Sequence, residues 1–98
     1  MKLIDTLRNL GERSKHAERM LSEPNYDVIQ IQMKRNEELT THHAEEETLI
    51  IVRTGKVEFI LEEQLVVLTN EQIFQMAPME KHSLKALEAT DLILIKFK

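Results

Sequence analysis

The chain has no cysteine and no tryptophan, two glycines, two prolines and four aromatic residues among 98. The missing thiols exclude disulfides, thiolate zinc sites and cysteine nucleophiles together. Any transition-metal site must therefore be assembled from His, Asp and Glu. Two isolated glycines leave no material for a phosphate-binding loop. So few aromatic residues provide poorly for base stacking, and a net charge of -4 with thirteen scattered Lys and Arg argues against nucleic acid. No apolar run approaches the length of a membrane span. The opening MKLIDTLRNLGERSK has too short an apolar stretch for a secretion signal, and Asp5 interrupts it. The expectation is a cytoplasmic protein with neither nucleic acid nor membrane as partner.

What is present is globular. A hydrophobic share of 42% beside 31% charged residues suits a folded domain rather than a disordered chain, and the length allows one domain with a small core. Leu3, Ile4, Leu7 and Leu10 recur at helical spacing with Gly11 as a stop, which predicts a short amphipathic N-terminal helix. Residues Lys15 to Leu21 read two ways: Ala17, Met20 and Leu21 fit a helix face, and the segment equally fits an edge strand ended by Pro24. Residues 1–24 are thus expected to hold a helix and an edge or swapped strand, and residues 25–98 a β-barrel.

From Tyr26 the period becomes two. In YDVIQIQM, Ile29, Ile31 and Met33 alternate with Val28, Gln30 and Gln32, giving one apolar and one mostly polar face. LIIV (49–52), VEFIL (57–61), QLVVL (64–68), IFQM (73–76), SLKAL (83–87) and LILIKF (92–97) follow, separated by short polar turns. This is the pattern of an all-β sandwich or barrel. Asn36 and Asn70 occupy turns where a left-handed residue would fit, and an ordinary type I turn fits as well.

The residues from about Asn25 onward resemble the small single-domain cupins. HHAEEETLIIVRTGKVEFIL looks like the first motif of that family, a histidine-bearing turn, a strand, a Gly turn and a second strand. NEQIFQMAPMEKHSLKALEATDLILIKF looks like the second, with Asn70, Pro78 and His82 in order before the closing strands. The resemblance implies a small antiparallel jelly-roll barrel with a central pocket, commonly in a homodimer. It also implies a possible divalent transition metal (Fe, Mn, Ni or Zn), with no metal equally open.

In metal-binding cupins the first motif supplies two histidines one residue apart and then a glutamate, and the second supplies another histidine. Here His42 and His43 are adjacent, and residues adjacent on a strand face opposite ways. Counting back from Gly55, the usual glutamate position holds Thr48. The matched positions keep His43 (or His42) and His82, a degenerate set. Glu45 and Glu47 share the strand parity of His43 and could complete a two-histidine, one-carboxylate site. The plainer reading of AEEET is a solvated acidic turn.

Without metal, His43 and His82 beside Phe74, Met76 and Met79 would form an apolar pocket with a few polar groups. The bland reading is that each histidine bonds a backbone carbonyl and each methionine fills a core gap. Ser83 adjoins His82 and would face away from it on a strand, so a Ser–His nucleophile finds no support. Three functions follow from this pattern. The first is a small protein that binds a ligand in its barrel without chemistry of its own. The alternatives are a metal-dependent dioxygenase or isomerase, and a structural or interaction module.

Overall fold

The computed structural model describes residues 1–7, 16–43, 45–61 and 64–98, of which 16 and 40–43 are described in their backbone alone. The strands run β1 (His16–Glu23), β2 (Tyr26–Met33), β3 (Glu38–His43), β4 (Thr48–Thr54), β5 (Val57–Leu61), β6 (Gln64–Leu68), β7 (Ile73–Met76), β8 (Lys81–Ala86) and β9 (Thr90–Phe97). They form a five-stranded sheet in the order β1-β2-β9-β4-β7 and a four-stranded sheet in the order β3-β8-β5-β6. Every pairing is antiparallel. The jelly-roll expectation holds. Among the described residues no helix is long and apolar enough to cross a membrane.

The two inner faces make the core. Ile31 and Met33 from β2, Ile50 and Val52 from β4, and Leu92 from β9 meet Val57, Phe59 and Leu61 from β5 and Leu84 and Ala86 from β8. Each side chain of this size, fully buried, contributes roughly 1.5–3 kcal/mol. The period of two in the sequence is the cause, since alternate residues of each strand reach the same face. Gly55 turns β4 into β5 with φ 95°, and a Cβ there would lie 2.3 Å from the Ala89 carbonyl oxygen. Only glycine fits that corner.

Among the turns, Asn36 has φ 71° and is left-handed, as one of its two readings had it. Asn70 does not have positive φ; its turn is closed by Gln72 N–H donating to the Thr69 carbonyl at 3.3 Å, an ordinary β-turn.

The N-terminal helix is a correction, because residues 1–7 carry no regular secondary structure. The Leu7 carbonyl accepts from the side-chain amides of Gln30 at 3.3 Å and Gln32 at 2.5 Å. The Arg53 guanidinium donates to the Thr6 hydroxyl at 2.6 Å and the Thr6 carbonyl at 3.2 Å. These carbonyls are satisfied by side chains of the sheet rather than by a helical ladder. Residues 8–11, the rest of that expected helix, lie outside the described residues. The ambiguous segment that follows is resolved as β1, a strand at the sheet's edge.

The tether also explains why the polar face of β2 is not wet. Gln30 and Gln32 are each 1% exposed. Gln30 donates to Asp91 at 3.2 Å, and Asp91 accepts from Arg53 Nε at 3.1 Å and Nη2 at 2.5 Å. This polar cluster lies beneath the N-terminal segment, on the opposite side of the sheet from the barrel interior.

Candidate functional site

One end of the barrel is shaped by the start of β4, the ends of β7 and β9, and the start of β8. Alternation carries Thr48 and Ile50 of β4, Leu94 and Lys96 of β9, and His82 and Leu84 of β8 to the inner face. There they line a cavity with Ile31, Leu39, Phe59 and Met76. Its volume is about 30 Å³. That admits one or two water-sized groups and is far below the roughly 300–1,000 Å³ of sites that enclose a whole ligand.

The walls are mostly apolar, and three side chains are polar. His82 is 5% exposed; its ring centroid lies 6.2 Å from that of Phe59, and its Nδ1 is 3.4 Å from the Glu80 carbonyl. Since a carbonyl only accepts, Nδ1 carries the proton in that contact. The turn that delivers His82 is Ala77-Pro78-Met79-Glu80, closed by Glu80 N–H donating to the Ala77 carbonyl at 3.5 Å. Met79 has φ 68°, the sign required at the third place of a type II turn, where Gly or Asn is usual. Thr48 is buried and its hydroxyl donates to the Glu46 carbonyl at 3.2 Å. Lys96 is the third polar group, directly across the β4–β9 ladder from Thr48.

The expected site residues are only partly gathered here. His82 and Met76 line the cavity. Phe74 packs against the core with its ring centroid 5.5 Å from that of Phe59, outside the lining. Met79 is 56% exposed on its turn, away from the cavity. Glu45 and Glu47 are exposed, and the Glu47 carboxylate accepts from Gln75 at 2.6 Å. The backbone register sets His42 opposite His82 and His43 opposite Lys81. The side chains of His42 and His43 lie outside the described residues, and so does the expectation that they join His82.

A divalent metal does not suit the donors that are described. Where the family pattern puts a glutamate, Thr48 presents a neutral hydroxyl that is already bonded, and Lys96 adds positive charge to the same cavity. Among the described residues no group of three or more His, Asp or Glu could hold a metal ion. Such ions favour neutral imidazole and anionic oxygen, not a neighbouring ammonium.

Lys96 was not among the expected site residues. Its signal was its parity with Leu92 and Leu94, obscured because Ile93 and Ile95 make the other face of β9 equally apolar.

No protein-family model matches the chain. No curated protein matches it either. Solved structures do. The chain aligns over 99% of its length with 90% of an RmlC-like cupin family protein of double-stranded β-helix fold from Methanocaldococcus jannaschii, at TM-score 0.86 and 16% identity. An RmlC-like cupin protein from Desulfovibrio desulfuricans is similar over 99% of this chain and 93% of its own, at TM-score 0.81 and 17% identity. So is a protein of unknown function from Streptococcus pyogenes, over 100% and 96%, at TM-score 0.81 and 15% identity. At such identities the likeness is one of fold.

Proposed function

We propose that this chain, which has the fold of the small single-domain cupins, binds a small molecule at the mouth of its barrel and carries out no reaction of its own. The observation that supports this is the cavity itself: apolar walls, a few inward polar groups, and Thr48 with Lys96 where a metal site would need an acidic ligand. The cavity takes the head of a ligand, and the remainder extends out of the barrel mouth. The metal-dependent oxygenase or isomerase is the weaker reading, since Glu45 and Glu47 are turned to solvent.

A thermal-shift screen of small acids, amides and sugars tests this, with a Leu94→Trp variant that fills the cavity. A ligand that binds only the folded barrel raises its melting temperature. The expected result is a compound that stabilises the native protein and loses its effect in the filled variant. Stabilisation undiminished by Leu94→Trp would place the site elsewhere.

The protein is further proposed to be a homodimer, joined through the outer face of the five-stranded sheet. Leu49, Ile51, Ile93 and Ile95 are partly buried on that face, Ile73 and Phe97 are exposed, and Leu3 and Leu7 of the tethered N-terminal segment are exposed beside it. Contiguous exposed apolar side chains of this kind mark association surfaces. Light scattering at tens of micromolar should give twice the chain mass, and Ile73→Lys should lower it. A monomer under those conditions would contradict the proposal.

A further inference from the structure

The charge of Lys96 identifies the class of ligand. Along the inner face of β9, Leu92 and Leu94 are apolar, and Lys96 follows them into the cavity lining. Lys96 is partly buried and has no hydrogen-bond or ion-pair partner among the described residues. Neither cross-strand neighbour is bonded to its ammonium. On one side is the neutral Thr48. On the other is Asp27, whose carboxylate accepts from the Ser22 hydroxyl at 2.7 Å and is paired with Lys98 at 3.0 Å. The carboxylate of Glu80 is also engaged, accepting from Ala77 N–H at 2.9 Å. The Lys96 side chain lines the cavity with Ile31, Ile50, Phe59 and Leu94, and no anionic group of the described residues is bonded to it.

We propose that the cavity is an anion site in which Lys96 binds the carboxylate of a small monocarboxylic acid with an apolar body. This rests on the reading of the barrel mouth as a ligand site. One cation matches one negative charge, whereas a phosphate dianion would bring a second into an apolar enclosure. The cavity has room for the two oxygens of a carboxylate, and the short apolar body of the acid lies at its mouth. In the degenerate motif, then, the inward charge is a cation for an anion to meet, in place of acidic groups for a metal.

Butyrate and its neutral counterpart butyramide separate charge from shape. Each is titrated at constant ionic strength and followed by the methyl resonances of Ile31, Ile50 and Leu94, on native protein and on Lys96→Met and Lys96→Gln. The methyl spectra themselves report whether each variant is folded. The expected result is that butyrate shifts these methyls with at least tenfold higher affinity than butyramide, and that both variants lose this preference. Equal binding of butyrate and butyramide, unchanged in the variants, would overturn the anion site and leave the barrel a ligand site. Binding of inorganic phosphate in preference to butyrate would overturn the monocarboxylate assignment. No shift of the cavity methyls by butyrate or butyramide, together with no hit from the thermal screen, would overturn both readings.

Discussion

Thr48 and Lys96 stand directly opposite each other on β4 and β9, and both line the barrel cavity. Cross-strand partners of this kind have Cβ atoms roughly 4.5–5.5 Å apart, so a charge placed at either one is felt at the other. A carboxylate at position 48 would give Lys96 an internal partner and compete with any external anion. Thr48→Glu should therefore weaken butyrate binding at least tenfold while the protein still melts cooperatively. Undiminished binding in that variant would mean that Lys96 does not face the ligand.

The Arg53–Asp91 pair joins β4 to β9 beneath the N-terminal segment, and Arg53 also donates to Thr6 of that segment. Asp91 is 2% exposed and its carboxylate is held by Arg53 and Gln30. Arg53→Met leaves that carboxylate buried with one remaining donor and should cost about 2–3 kcal/mol, below the fully buried range because Arg53 keeps some solvent contact. An additional Asp91→Leu should restore most of the loss, since the unpaired charge is then gone. Urea unfolding of the native protein, the Arg53→Met and Asp91→Leu single variants and the double variant measures the coupling. A single-variant loss under about 0.5 kcal/mol would show that the pair is solvated.

Asp27 should titrate below the ordinary carboxylate range. The Ser22 hydroxyl bond is the largest cause, followed by the bond to Lys98 and the Lys98 charge, with burial opposing them. A depressed folded value means that the stabilisation is present above the unfolded pKa and is lost as pH falls through the folded one. Unfolding free energy should thus drop as pH falls below about 4, and Asp27→Asn should flatten that drop. A carboxyl NMR titration with its midpoint at or above the ordinary Asp value would contradict this.

Met79 holds a left-handed backbone position without being Gly or Asn. An L-residue there costs roughly 1–2 kcal/mol. Glycine removes that cost but loses more entropy on folding, roughly 0.5–1 kcal/mol. Met79→Gly should accordingly be neutral or stabilising by up to about 1 kcal/mol. Met79→Val, branched at Cβ, should destabilise by about 1 kcal/mol or more. Equal melting of both variants would show that the turn relaxes.

The strands and the inner apolar face were legible because period-two alternation is a local property, visible in YDVIQIQM and VEFIL without knowing their neighbours. That Thr48 stands where the resembled motif has a glutamate was legible too, because the count runs back from Gly55. The helical spacing of Leu3, Ile4 and Leu7 misled for a long-range reason. The donors that claim the Thr6 and Leu7 carbonyls come from Gln30, Gln32 and Arg53, and no window around residues 1–7 contains them. The same tether covers Gln30 and Gln32, whose polar face is buried although nothing in its local sequence says so. Met79 read as a pocket residue from its proximity to His82 in sequence, but a turn's backbone sign, not its hydrophobicity, sets where its side chain goes.

The proposed binding of an organic ligand rests on a barrel site whose described groups do not suit a metal. Elemental mass spectrometry of protein purified without a histidine tag or chelator tests it most directly, alongside His82→Ala. Iron, manganese, nickel and zinc should stay far below one atom per chain in both proteins. Near one atom per chain in the native protein, lost on His82→Ala, would contradict the proposal.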